Sequence, residues 1–214
     1  MSIKAAIFDC DGTVLDSMRI WETVGIDYLK DRNIIVEDNM VETFKTFSMH
    51  DAARFFREVY QITDPFEEIM CEINKRVEEF YFNEAKPKVD AKEYLEYLYS
   101  QNVPMCIATS TDEYLIKASL ERNGMLHYFS KIFTCTEIGK GKQEPDVFDA
   151  ALRYLGTNKE NTVIFEDSLY AIKTAKKAGY RVAGIYDVCE KPQEEIKQLA
   201  DYYFVWYSEI KNLL

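Results

Sequence analysis

The sequence predicts an α/β fold: a doubly wound parallel sheet, with a helical bundle inserted after its first strand. Three observations predict it. The chain opens on a short, largely apolar run, Ile3-Lys4-Ala5-Ala6-Ile7-Phe8. From about residue 16 to about residue 84 the apolar residues then recur at helical spacing. After Pro87 short apolar runs alternate with amphipathic stretches to the end of the chain. Alternation of that kind belongs to parallel sheets with helices on both faces, because a parallel crossover needs a helix-length connection.

Taken in order, Ile3–Phe8 is a strand, apolar from Ala5 onward as suits a central parallel strand buried on both faces; Gly12 and Thr13 break it after Asp9. The next stretch carries three helical faces: Ile20, Val24 and Tyr28; then Ala52, Phe55, Phe56 and Val59, in a helix opened by Ser48; then Phe66, Ile69, Ile73, Val77 and Phe80, starting after Asp64-Pro65. Proline suits a first helical turn, where its missing N–H would be unpaired anyway. Strands follow at 103–109, 131–135, 162–165 and 182–186, with a last one at 202–205. Between them lie helices at 112–122, stopped by Asn123-Gly124, at 145–155, stopped by Gly156, at 169–178, stopped by Gly179, and around 194–199. The organisation is therefore a Rossmann-like core of residues 1–15 and 87–214, interrupted by a helical domain at 16–86. There is no internal repeat.

Composition narrows the function classes. Of the 214 residues 47% are hydrophobic, enough for a sizeable core and too many for a disordered chain. The formal charge is -11 and the pI near 4.8, a balance that repels polyphosphate backbones and anionic lipid, so neither nucleic acid nor membrane is an expected partner. Five cysteines, an odd number at irregular spacing with no CxxC pair, read as reduced thiols. With no apolar leader and no run of about 18 apolar residues, the expected location is cytoplasmic.

In a doubly wound sheet, ligands bind at the carboxyl ends of the strands. Here successive strand ends carry Asp9 and Asp11, Thr109 and Ser110, Lys142 in the loop after the third strand, and Glu166 with Asp167. One acidic residue in a loop is ordinarily just solvated, and one lysine near glycines is ordinarily a surface lysine. Four such positions brought to one edge suit phosphoryl transfer. Converging carboxylates need a hard divalent cation, typically Mg2+, which also neutralises phosphate charge. A lysine adds compact positive charge, and a threonine hydroxyl can donate to a phosphoryl oxygen.

These residues sit in runs that resemble four motifs of the haloacid dehalogenase superfamily: Asp9-Cys10-Asp11-Gly12-Thr13-Val14-Leu15-Asp16-Ser17, Ile107-Ala108-Thr109-Ser110, Lys142-Gln143-Glu144-Pro145-Asp146, and Phe165-Glu166-Asp167-Ser168. They occur in the right order over nearly the whole chain. The inserted helices resemble that superfamily's small helical cap, as in relatives of β-phosphoglucomutase and phosphoglycolate phosphatase. The resemblance implies Asp9 as nucleophile and metal ligand, and Asp11 as general acid and base whose backbone carbonyl also binds the metal. Glu166 and Asp167 would complete a Mg2+ site, and Thr109, Ser110 and Lys142 would hold the phosphoryl group. It implies a phosphatase acting on a small phosphorylated metabolite (a sugar, polyol or related phosphate), as a monomer or weak homodimer. The cap would set specificity, with Trp21 and Lys45, and with Phe47, Met49 and His50, as candidates to face the substrate.

Three positions depart from the family pattern without removing a catalytic atom: Gln143 stands for proline, Ala171 for glycine, and Cys10 for a bulkier apolar residue. Cys10 is read as packing, with sensitivity to oxidation as the alternative. The rival enzyme is a β-phosphoglucomutase-like mutase, but Trp21 and Met49 stand where the mutases carry a histidine and an arginine. A non-catalytic regulatory protein on the same fold would be expected to have lost Asp9 or Asp11. His127 and the aromatic run Tyr202, Tyr203, Phe204, Trp206 and Tyr207 are read as packing residues.

Overall fold

The computed structural model describes residues 3–37, 40 and 49–212, without the side chains of 49, 50, 211 and 212. The chain divides into two compact units: residues 1–16 with 85–214, and residues 17–84.

The first unit is built on a six-stranded parallel sheet in the order β5-β4-β1-β6-β7-β8. The strands are β1 (Ala5–Phe8), β4 (Met105–Thr109), β5 (Lys131–Thr134), β6 (Thr162–Glu166), β7 (Arg181–Ile185) and β8 (Tyr202–Phe204). Every residue of β1, β4 and β6 is buried, the physical reason these strands read as unbroken apolar runs. Successive strand residues point to opposite faces. Ile7 and Ile164, paired in register, face one side with Phe148 of α7 (Asp146–Leu155) and Ile172 of α8 (Leu169–Lys177). Phe8 and Phe165, the next pair, stack at 4.3 Å, and on that side Tyr94 lies 5.8 Å from Phe165. Burying one such phenylalanine contributes about 1.5–3 kcal/mol. Gly156 takes φ 64 at the end of α7, a left-handed conformation in which a Cβ is strained.

Tyr94 belongs to α4 (Ala91–Ser100), a helix absent from the sequence expectation, which left residues 88–102 without an element. Its buried Ala91, Tyr94, Leu95 and Leu98 do have helical spacing. Its start departs from the usual cap: Asp90 sits at φ 61 and makes no side-chain cap, although Asp90 and Glu93 have capping-box spacing in the sequence. The other helices of this unit are α5 (Glu113–Arg122), the short α6 (Cys135–Ile138) and α9 (Gln193–Leu199). A two-residue pair, β2 (Leu15–Asp16) with β3 (Lys86–Pro87), was also not expected; it joins the chain where it leaves the sheet to where it returns.

The second unit holds α1 (Met18–Lys30), α2 (Met49–Val59) and α3 (Phe66–Asn83), with no strand among its described residues. Tyr28 stacks on Phe56 at 5.3 Å. The Arg32 guanidinium lies 3.8 Å over the Tyr28 ring and reaches Asp64 at 3.1 Å and Glu72 at 2.8 Å. In α3 the buried residues Ile69, Ile73 and Val77 match expectation, and Tyr81 rather than Phe80 completes the face. In α2 the buried face is Ala53 and Phe56, and Val59 is exposed. Ser48 lies outside the described residues. No helix among the described residues is long and apolar enough to cross a membrane.

Candidate active site

Register places the chemistry. Phe8 pairs with Ile107 on one side and Phe165 on the other, so Asp9 emerges beside the ends of β4 and β6. β1 is also where strand order reverses, since the chain runs outward to β4 and β5 and later back to β6, β7 and β8. At such a switch point the flanking loops part and leave a crevice. Asp9, Asp11, Thr109, Lys142, Glu166 and Asp167 are all buried at this edge. Lys142 comes from the loop between α6 and α7 and bonds the Asp9 Oδ1 and, at 2.8 Å, the Glu166 Oε2. Candidate ligand atoms of Asp9, Glu166 and Asp167 all lie within 4.8 Å of one another.

Glu166, Asp167 and Asp11 each accept from a neighbouring hydroxyl. The Ser168 hydroxyl and amide donate to Glu166 Oε1 at 2.9 and 3.2 Å. Thr13 Oγ1 donates to Asp167 Oδ1 at 3.2 Å, and Thr111 Oγ1 donates to Asp11 Oδ2 at 2.7 Å. The Thr111 amide donates to Thr109 Oγ1 at 3.1 Å, fixing that hydroxyl's orientation. The Asp9 amide is tied to the Phe165 carbonyl at 2.8 Å. The exception is Asp9 Oδ2, which is buried with no hydrogen-bond partner. A buried carboxylate oxygen without a donor is costly, and a cation satisfies it.

Electrostatics point the same way. Burial, with Glu166 and Asp11 adding to it and Lys142 opposing, pushes the Asp9 carboxyl up to about 7. Burial and the charges of Glu166, Asp9 and Asp187 also raise the Asp167 carboxyl well above its usual range. Burial alone would lower the Lys142 ammonium, but Asp9 and Glu166 outweigh it and hold that group firmly protonated. Fully ionised, the three carboxylates would carry two negative charges beyond the one ammonium; in a desolvated site that state is costly without a cation, and a divalent ion with oxygen ligands offsets it.

Of the remaining sequence candidates, Ser110 follows Thr109 and is exposed, its hydroxyl 3.5 Å from the Cys135 thiol. Trp21 is half-buried in the second unit, its ring 6.4 Å from that of Tyr81. Lys45 and Phe47 lie outside the described residues, as do the side chains of Met49 and His50. Cys10 is fully buried, and burial raises its thiol above the ordinary value. His127 is exposed and rests against Tyr128 and Tyr99. Thr13, Thr111 and Ser168 were not singled out from sequence; two of them stand inside the motif runs, next to the acids, and that adjacency was the available signal.

Residues 6–185 match the family model of haloacid dehalogenase-like hydrolases. A 6-phosphogluconate phosphatase of Escherichia coli is 27% identical over 188 residues, covering 84% of this chain and 81% of that protein. A glycerol-3-phosphatase of Arabidopsis thaliana is 28% identical over 196 residues, covering 87% and 80%. The crystal structure of a candidate β-phosphoglucomutase of Thermotoga maritima superposes with a TM-score of 0.86 at 21% identity, covering 99% of this chain and 98% of that one, a likeness of fold. With most of its length matched by the family model, the buried acidic edge described above is that of a family member: the chain belongs to the haloacid dehalogenase-like hydrolases.

Proposed function

We propose that the chain is a Mg2+-dependent phosphatase that hydrolyses a small phosphorylated metabolite, a sugar, polyol or related phosphate, through an aspartyl-phosphate on Asp9. The observation that carries this reading is the Asp9 carboxylate. One oxygen is taken by Lys142; the other is buried without a partner beside Glu166 and Asp167. The names of the curated relatives, a 6-phosphogluconate phosphatase and a glycerol-3-phosphatase among them, support the substrate class.

Asp9, Glu166 and Asp167, with the Asp11 carbonyl, would hold the ion. Bound Mg2+ supplies charge neutralisation for the carboxylates and the phosphate. In the first half-reaction an Asp9 oxygen attacks phosphorus, the bond to the leaving oxygen breaks, and Asp11 gives that oxygen its proton. In the second, Asp11 takes a proton from the attacking water, phosphate leaves, and the Asp9 carboxylate is restored. Thr111 holds Asp11 in position for both transfers. Lys142, Thr109 and Ser110 bind the phosphoryl oxygens, and Trp21 and Lys45 of the second unit are assigned to substrate selection.

The test is phosphate release from a panel of sugar, polyol and nucleotide phosphates and phosphoglycolate, with and without Mg2+. Release is expected to need the metal and to fall by about 1,000-fold or more in Asp9→Asn, the scale of losing a covalent nucleophile. Conversion of β-glucose 1-phosphate to glucose 6-phosphate without net release would instead make the chain a mutase. Silence in both assays from folded protein would overturn the phosphatase.

A further inference from the structure

The loop from Cys10 to Leu15, which carries Asp11, is held by its carbonyls. Three consecutive ones are bonded by groups from elsewhere in the chain. The Gly12 carbonyl accepts from the Lys88 ammonium at 2.8 Å, the Thr13 carbonyl from the Tyr207 hydroxyl at 3.0 Å, and the Val14 carbonyl from the Lys88 amide at 2.9 Å. Lys88 thus grips this loop twice. Its ammonium has three donors, and all are used: besides Gly12 they reach the Tyr186 carbonyl at 2.6 Å and Asp187 Oδ2 at 2.7 Å. Asp187 is itself a buried carboxylate, its other oxygen accepting from the Cys189 amide at 2.8 Å.

This is an arrangement with a direction. Asp187 lies just past the end of β7, two strands from β1 in the sheet, and is anchored there. Lys88 carries that anchorage across to Gly12, which sits at φ 81, one peptide bond from Asp11. The bond to a neutral carbonyl contributes nothing to charge balance, since Asp187 already neutralises the ammonium. What it adds is a fixed point on the flexible glycine next to the proposed acid.

We propose that Lys88 is a positioning residue for the reaction: clamped to the end of β7 by Asp187 and Tyr186, it fixes the Gly12 carbonyl and thereby the placement of Asp11. The proposal rests on the phosphatase reading for its kinetic consequence, and on the loop alone for its structural one.

Two variants separate positioning from charge pairing. Asp187→Asn keeps one oxygen acceptor for Lys88, at the cost of the bond from the Cys189 amide, and leaves the bond to Gly12. The double variant Lys88→Met/Asp187→Asn removes the ammonium without stranding a buried carboxylate. On whichever substrate the wild type hydrolyses, Asp187→Asn is expected to stay within about 3-fold of wild-type kcat. The double variant is expected to lose about 10- to 100-fold in kcat with KM little changed, the scale of a misplaced catalytic group. Amide hydrogen exchange of the peptide covering 9–16 is expected to quicken in the double variant and not in Asp187→Asn. Should the double variant not fold, Lys88→Gln/Asp187→Asn, whose shorter side chain falls short of Gly12, takes its place under the same criteria. Wild-type kcat and exchange in either double variant would overturn the proposal, as would a loss in Asp187→Asn equal to that in the double. If the wild type releases no phosphate from any substrate, the functional reading fails, and the exchange measurement alone decides whether Lys88 positions the loop.

Discussion

At the scale of single residues, burial of its charge bears on Asp9. Its carboxyl is pushed up to about 7 by burial, against about 4 in an unfolded chain. Between those values the folded protein binds the more protons. The stability this group contributes without metal is fully present below about pH 4 and is lost as pH rises through about 7. Asp9→Asn carries no such charge, and Lys142 keeps Glu166 as its partner. Metal-free Asp9→Asn should therefore melt above wild type at pH 8 by a few degrees, about 1 kcal/mol being worth ~2–4 °C at this size, with the gap narrowing below about pH 7 and closing near pH 4. The same proton competes with the ion. Saturating Mg2+ should raise the wild-type Tm more at pH 8 than at pH 5.5, measured by calorimetry. A lower Tm in Asp9→Asn at pH 8 would mean that the attraction of Lys142 outweighs the burial of the Asp9 charge.

At the scale of elements, the strand ends were legible because two signals coincided. β1, β4 and β6 are buried on both faces, so each is an unbroken apolar run, and each run ends on a polar residue that a core strand would not otherwise carry. Asp9, Thr109, Glu166 and Asp167 could be placed in sequence for that reason. α4 was not, although Asp90 and Glu93 offer a capping pattern ahead of the face of Ala91, Tyr94, Leu95 and Leu98; in the structure Asp90 sits at φ 61 and makes no side-chain cap. The supporting hydroxyls and Lys88 were illegible for a reason of distance. The Thr13 bond to Asp167 spans 154 positions and that of Lys88 to Asp187 spans 99, and local patterning has no access to partners so distant. These groups have measurable weight. Ser168, at the entry to α8, gives Glu166 both a hydroxyl and an amide. Ser168→Ala keeps the amide and frees the carboxylate to turn. Mg2+ affinity should weaken about 10-fold, the low end for a partner that orients a ligand, by titration calorimetry. An unchanged affinity would show that the amide and Lys142 suffice to orient Glu166.

At the scale of the whole molecule, the chain forms two compact units that the sequence interleaves. Asp9, Asp11, Lys142, Glu166 and Asp167 all fall in the unit made of residues 1–16 and 85–214, although 133 positions separate Asp9 from Lys142. The other unit, 17–84, has its own packing, centred on Tyr28, Phe56 and the Arg32 ion pairs. A ligand stabilises the conformations it binds, and that stabilisation reaches only openings which break its site. Local openings of α1, α2 and α3 leave the carboxylates in place; openings of the loops after β1, β4 and β6 do not. Hydrogen exchange with and without Mg2+ should therefore show new protection in peptides covering 6–16, 105–112, 140–146 and 163–170, and little change in 18–30 and 49–83. Protection spread evenly over both units would mean that they open together as one cooperative body and that the ion stabilises both. Confined protection would make the sheet edge the seat of metal binding, leaving 17–84 free to vary for substrate choice without disturbing the ion.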